Sequence, residues 1–300
     1  MSARLPGRYT GVPMSDAALN ICEVPAEVAF ETFSPVRRAL KRALLNPFAN
    51  YFPAGMLRAL LRFGKSELAA ANWTDPGGWK SMAISYNGGC AQWADKILVN
   101  AGTMPMALRN RKRLGAYLLA RLIDSSGADS AHVLCLGAGP GQIIIEALTQ
   151  AKTPAHATLV DISSDAFDFG RRLAAERGLA DRVRYIKADV RDLSAFLDEA
   201  PHVVKMLGIC EYLSDEQIVT IARAAAGIMP DGATIVFNAI SKAHGTDRFF
   251  RRVFGLHMIH RPVAALAGLV AEAGFGGFQV HREPLGVYHV VVGRKAAAGG

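Results

Sequence analysis

Cysteine is scarce and scattered. Cys22, Cys90, Cys135 and Cys210 make no Cys-x-x-Cys pair and no His/Cys spacing that suits a metal. The expectation is four reduced, buried thiols and no metal centre. Long apolar runs are missing too: no stretch of about 18 uncharged apolar residues occurs, which predicts no transmembrane helix. The first residues, MSARLPGRYTGVPMSD, carry basic side chains without an apolar segment behind them, which argues against a secretory signal. A cytoplasmic protein is expected. Acidic charge is thin in the first 130 residues, where 16 Lys/Arg face 9 Asp/Glu; the remaining 170 are nearly balanced at 18 against 17. A basic front segment can attract an anionic substrate, nucleic acid or an anionic membrane surface, or can simply be a solvated face.

Against these absences stands His132–Gln142, HVLCLGAGPGQ. An apolar run ends in three alternating glycines, Gly137, Gly139 and Gly141, and the helix-compatible QIIIEAL follows. Strand, glycine loop and helix in that order bring a ligand against bare backbone and unpaired helix N–H groups. The spacing is GxGxG, not the GxGxxG of dinucleotide enzymes.

Ahead of that loop, Ser34 and Pro35 open the amphipathic segment VRRALKRALL, and AGMLRALLRF follows and ends near Gly64. Both are expected to pack their apolar faces on the main domain, a membrane-surface role being the alternative. NWTDPGGWKSMAISYNGG reads as an irregular, aromatic-rich connection able to form a substrate lid. CAQWADKILVNAG suits a helix, and Thr103 is placed as the cap of a longer one reaching about Asp124. On that helix Arg109 and Arg113 share a face at i, i+4, whereas Arg111 lies on another.

From Ser130 onward strands and helices alternate: ATLVDI, DAFDFGRRLAAERG, RVRYIKADV, DLSAFLDEA, PHVVKMLGI, DEQIVTIARAAAGIM and GATIVFNAI. This predicts a doubly wound, mostly parallel α/β sheet. FGGFQVHREPLGVYHVVVGRK then predicts an antiparallel hairpin. The expected organisation is a helical substrate or cap region over 1–125, the sheet domain over 126–294, and a disordered tail over 295–300. Ligands in such sheets sit beyond the strands' carboxyl ends. The acid Asp161 ends the second strand of the domain, Asp189 and Val190 end the third, and Gly208 to Tyr212 end the fourth.

GxGxG after the first strand, an acid ending the second, Ala-Asp-Val ending the third and a closing hairpin resemble a class I S-adenosylmethionine-dependent methyltransferase, over about residues 105–294. The resemblance implies a seven-stranded Rossmann-like sheet under an N-terminal helical cap. It implies S-adenosylmethionine as cofactor, with Gly137, Gly139 and Gly141 at its methionine part, Asp161 at the ribose, and Asp189 and Val190 at the adenine. Ile162 and Gly208 complete the cofactor-binding set. His202 departs from the pattern, standing where the family often has an Asp. LRNRKRL, GICEYLSDEQ, IHRP and REPLGVYH are similar to a bacterial small-molecule branch that includes fatty-acid methyl ester-forming enzymes.

In-line methyl transfer to a small, anionic metabolite at O or N is therefore expected. Glu211 and Tyr212 are the catalytic candidates, and Tyr86, Arg109, Arg113 and His257 the substrate-binding ones. A carboxylate acceptor needs no base; His244, His260 and His289 are further bases if another acceptor does. Cys210 lacks the preceding Pro-Cys of base-methylating nucleophiles. The alternatives are an RNA methyltransferase or a non-catalytic S-adenosylmethionine-binding protein. GICEYL stands where enzymes methylating nucleic-acid or release-factor amines carry Asn/Asp-Pro-Pro-aromatic, which argues against a nucleic-acid partner. Self-association is left open.

Overall fold

The computed structural model describes residues 18–191, 193 and 197–297. The first half of the expected N-terminal arm, four of the nine residues of the expected DLSAFLDEA helix and the last three tail residues lie outside them.

Eight strands form one sheet: β1 (Asn20–Cys22), β2 (Ala131–Leu136), β3 (Ala155–Asp161), β4 (Val183–Lys187), β5 (Val203–Met206), β6 (Thr234–Ile240), β7 (Phe275–Arg282) and β8 (Tyr288–Lys295). Their order is β1-β7-β8-β6-β5-β2-β3-β4. Strands β2 to β6 run parallel, and β8 is antiparallel to both β6 and β7, as the closing hairpin predicts. The eighth strand is β1, which pairs in parallel with β7 from Asn20↔Gln279 to Cys22↔His281. Three residues with an exposed, exposed, half-buried pattern carry no alternation by which sequence could announce a strand.

Among the described residues seven α-helices precede β2: α1 (Pro35–Leu40), α2 (Asn46–Tyr51), α3 (Ala54–Phe63), α4 (Glu67–Thr74), α5 (Trp79–Asn87), α6 (Trp93–Asn100) and α7 (Thr103–Asp124). A five-residue π-helical run, Lys41–Leu45, joins α1 to α2. Ser34 Oγ caps α1 by accepting from Arg37 N, with Pro35 in the first turn. The cap of α7 is Gly102, not Thr103, which is already helical. The expected loop around residues 72–89 is mostly helix: α4 runs to Thr74, α5 spans Trp79–Asn87, and only Asp75–Gly78 and the closing Gly88–Gly89 are irregular. Four glycines and a proline in that stretch fall at the turns, leaving WKSMAISYN free to coil.

The apolar faces of the two basic helical segments meet different fates. Helix α3 packs inward through Leu57 and Leu61. Segment 35–51 does not: α1 and α2 bury no residue, and the π turn buries only Lys41. The expected packing of VRRALKRALL is thus corrected.

After β2 come α8 (Gln142–Gln150), α9 (Phe167–Glu176), α10 (Asp215–Ile228), the single turn α11 (Asp247–Phe249) and α12 (Val263–Ala271). Ser214 and Gln217 close a capping box on α10. One face of the sheet packs on α10 and α12 through residues such as Leu134, Phe237 and Ile221. The other packs on α7 and α8 through Leu114, Leu119, Ile144 and Val236. Helix α7 therefore shares the core of the sheet rather than belonging to a separate body.

Candidate active site

Strands β3 and β5 flank β2 on opposite sides, so chain order reverses at β2. A cavity of about 630 Å³ opens there, beyond the carboxyl ends of β2 to β5. The glycine loop forms its floor. Gly137, Gly139 and Gly141 have φ of 58°, 53° and 76°, in the left-handed region that side chains disfavour. A Cβ on Gly137 would lie 2.2 Å from Ile209 Cγ2, so the loop also needs glycine for its close approach to the end of β5.

Asp161 locks this loop. Its Oδ2 accepts from Gly139 N at 2.8 Å and its Oδ1 from Ser163 N at 3.0 Å. Gly137, Gly139, Asp161, Ile162, Asp189, Val190 and Gly208 all line the cavity; Gly141 sits behind it as the cap of α8. Arg191 grips the Asp189 carboxylate, with Nε at 2.9 Å from Oδ1, and holds the acid down to about 2. The far wall is α5, which presents Trp79, Met82 and Tyr86 at i, i+3, i+7, one face of a helix.

The cavity carries both signs of charge. Asp161, Asp165 and Asp189 cluster beyond β3 and β4 with Arg191 bound among them, Asp75 lies in the link before α5, and Arg111 and Lys205 stand on the α7 and β5 side. These last two cations are buried, at 2% and 4% exposure. Arg111 donates to Tyr86 Oη at 2.8 Å and to Glu211 Oε1 at 3.3 Å, and its guanidinium lies over the Tyr288 ring at 4.5 Å. Its Nε has no hydrogen-bond partner. Burial lowers the Lys205 ammonium from its ordinary range, an effect Arg111 reinforces and the Cys135, Asp161 and Glu211 side chains oppose. Gln142 Oε1, on the first residue of α8, is a buried acceptor without a donor at the same cavity.

Of the two catalytic candidates, Tyr212 lines the cavity and Glu211 does not. Glu211 is 2% exposed, bound to Arg111 and to Asn238 Nδ2 at 3.3 Å. Tyr212 keeps 39% of its surface open while protein encloses its other sides; that desolvation and the Glu211 carboxylate push the phenol up. It stays protonated at neutral pH.

Of the four residues proposed for substrate binding, only Tyr86 reaches the cavity. Arg109 and Arg113 share a face, as their spacing requires, but that face turns to Glu31. Arg109 Nη2 lies 2.6 Å from Glu31 Oε2, Arg113 Nη2 lies 3.1 Å from Oε1, and Arg109 also donates to the Ser85 and Val99 carbonyls. His257 is exposed and outside the cavity. None of His244, His260 and His289 lines it either. His202 sits at the amino end of β5, where its Nδ1 accepts from His132 N, away from the cavity. Cys210 is buried and its thiol pushed up to about 12 by desolvation, so it is inert.

The four short segments singled out in the sequence converge behind the cavity. Asn110 donates to Glu283 and Arg111 to Glu211; Ile259 N donates to the Glu211 carbonyl; Arg261 donates to the carbonyls of Cys210 and Leu213. Glu283 accepts from Leu285, Val287 and Tyr288 N, closing the hairpin turn. Sequence reading missed Arg111, Lys205, Gln142 and Met82. A lone Lys inside the apolar strand VVKM was the one signal available for Lys205.

An adenosine-type ligand with a charged tail fits this cavity: acids at the ends of β3 and β4, buried cations on the α7 and β5 side, a glycine floor, and an orphaned acceptor at Gln142. Fold and site together resemble those of class I methyltransferases. Residues 133–232 match the family described as methyltransferase domain, and the chain carries such a domain. A stretch of 77 residues, 26% of this chain, is 39% identical to release factor glutamine methyltransferase from Chlorobaculum tepidum; the chain spans about a quarter of that relative's length. A possible exported protein from Bordetella parapertussis has the same fold at TM-score 0.67 and 17% identity, over 89% of this chain and 100% of that one. Magnesium protoporphyrin IX methyltransferase from Synechocystis, solved with S-adenosylhomocysteine, superposes at TM-score 0.54 and 12% identity, over 80% and 99%.

Proposed function

We propose that the protein transfers a methyl group from S-adenosylmethionine to a small anionic metabolite, at O or N, in the cavity between the glycine loop and α5. The observation that carries the cofactor half of this reading is the 2.8 Å bond from Gly139 N to Asp161 Oδ2 at the point where strand order reverses. It leaves the carboxylate at the strand end, where ribose hydroxyls can donate to it. Asp189 and Val190 would hold the adenine, Ile162 would cover the ribose, and Gln142 Oε1 would accept from the methionine ammonium. Bound there, the cofactor supplies an electrophilic methyl on a sulfonium.

Arg111 and Lys205 carry the other half. Both line the cavity; Arg111 pairs with the Glu211 carboxylate, and Lys205 makes no ion pair among the described residues. Two cations so placed favour an anion on the acceptor and orient it, and orientation is the main catalytic lever for an in-line displacement. A carboxylate acceptor attacks with its own lone pair. That matches a cavity where Tyr212 stays protonated and the neighbouring Glu211, behind the wall, is committed to Arg111. Trp79, Met82 and Tyr86 exclude water from the acceptor side, and the helices ahead of the sheet serve as the substrate cap.

Calorimetry with S-adenosylhomocysteine tests the cofactor: no binding overturns the reading. Asp161→Ala should weaken that binding about tenfold to a hundredfold, the worth of hydrogen bonds to a charged group. A mass-spectrometric screen of small carboxylates and amines for methyl gain then tests the acceptor. Lys205→Met should raise the acceptor KM and leave S-adenosylhomocysteine affinity within about twofold; the reverse split would assign Lys205 to the cofactor's own carboxylate.

A further inference from the structure

Residues 35–51 form a helix that is inside out. Val36, Leu40, Leu44, Phe48 and Tyr51 recur at i, i+4, i+4, i+4, i+3, a single apolar stripe, and they are 79%, 51%, 61%, 49% and 71% exposed. Leu45, beside the stripe, is exposed as well. The helix is fixed to the protein by its polar side instead. Lys41 Nζ donates to the Ala101 carbonyl, Asn50 Nδ2 to the Gly245 carbonyl at 2.8 Å, and Phe249 N to Asn50 Oδ1 at 3.0 Å. Arg37 and Lys41 lie over the buried Phe33 ring. After the short Phe52–Pro53 turn, α3 repeats the pattern, exposing Met56, Leu60 and Phe63 while it buries Leu57 and Leu61.

The charge around this surface has one sign. No Asp or Glu occurs from Thr32 to Ser66, a stretch that carries Arg37, Arg38, Lys41, Arg42, Arg58, Arg62 and Lys65. On the flank of the helix away from the stripe, a cavity of about 400 Å³ is lined by Arg38, Lys41, Arg42 and Lys242, with no acid in its wall. An apolar stripe rimmed by cations, beside an acid-free basic cavity, matches a surface with an apolar interior and phosphate at its edge.

We propose that segment 34–63 docks on a lipid bilayer rich in anionic phospholipid. Val36, Leu40, Leu44, Phe48 and Tyr51 enter the boundary between headgroups and acyl chains, and Arg38, Arg42 and Lys242 seat a headgroup phosphate. The docking is peripheral: among the described residues no helix is long and apolar enough to cross a membrane. It is independent of the methyl-transfer reading, because none of these residues lines the cavity at the glycine loop.

Flotation of the full chain with vesicles of phosphatidylcholine and phosphatidylglycerol, against pure phosphatidylcholine, tests this. The wild-type chain should float with the anionic vesicles only, and less at high salt. Leu44→Ser with Phe48→Ser should reduce binding at least about tenfold, since each buried methylene contributes to partition. Arg42→Glu with Lys242→Glu should reduce it further than about fivefold per charge removed. Phe48→Trp places a fluorophore in the stripe, whose emission should shift blue on anionic vesicles. Unchanged S-adenosylhomocysteine affinity and unchanged melting in the serine and glutamate variants keep the outcome from being one of misfolding. Wild-type protein that stays with the pellet overturns the proposal, as does binding that the serine variants leave intact. A solution dimer that those variants dissociate overturns it too, by assigning the stripe to a second copy of this chain.

Discussion

Segment 35–51 and helix α7 read alike in the sequence, both basic and amphipathic, and the protein uses them in opposite ways. Helix α7 buries Leu114, Leu119 and Ile123 and also Arg109 and Arg111; segment 35–51 leaves even its leucines outside. What separates them is what lies against each polar side. Glu31, Glu211 and several carbonyls meet the arginines of α7. The polar side of the first segment meets the Ala101 and Gly245 carbonyls and Phe249 N instead. A helix's apolar stripe shows that it has two faces, and the polar partners available elsewhere decide which one turns inward.

The largest effect that can break this comparison is at Arg111. Arg111→Ala leaves Glu211 buried and without its cation, and a lost buried partner costs about 3–5 kcal/mol; urea unfolding should show it. Arg111→Met combined with Glu211→Gln should recover most of the loss. A cost under about 1 kcal/mol for the single change would mean that α7 does not depend on its interior charges. Next comes Leu119→Ala on the same helix, a fully buried side chain, at about 3 kcal/mol.

Smaller still is the Glu31 anchor. Burial raises the Glu31 carboxyl, but the hydrogen bond and charge of Arg109, joined by Arg113, outweigh it and hold the acid below its ordinary value. Because the folded value is depressed, the anchor's stabilisation is complete above the unfolded carboxyl range near 4.5 and is lost as pH falls through the folded value. Glu31→Gln should cost about 1–3 kcal/mol at neutral pH. The melting curves of the variant and the wild-type chain should converge in acid; a gap that stays constant to pH 3 would discard the ion pairs as the cause. The smallest effect belongs to the other region: Leu44→Ala should change stability by no more than about 0.5 kcal/mol, and a cost near that of Leu119→Ala would show that the stripe is covered.

The central sheet was legible because its signals are local. Glycines that need positive φ, apolar strands and a hairpin with a short turn each fix their own structure, and together they put Asp161, Asp189 and Gly208 around one loop. The substrate side was less so. Arg109, Arg111 and Arg113 differ only in the direction a 100° step gives them, and which direction meets Glu31 or the cavity depends on β1 and on residues 100 positions away. Lys205 was hidden by its strand and Met82 by glycines that mark turns rather than a loop. The orientation of segment 35–51 was not in its own residues at all, since the groups that hold it, Ala101, Gly245 and Phe249, are far along the chain.

Strand β1 carries a mechanical consequence. The helices over the cavity begin just after a strand stitched into the sheet edge by β7 and end in α7, which is wedged into the core. A cover riveted at both ends cannot swing as a hinged door. The irregular part of the cavity's cover is the short Asp75–Gly78 link, where Gly77, at φ of 77°, abuts the Tyr212 hydroxyl closely enough that a Cβ would sit 2.7 Å from it. Loops of that kind move in nanoseconds to microseconds, faster than the domain rotations that the anchored cover forgoes.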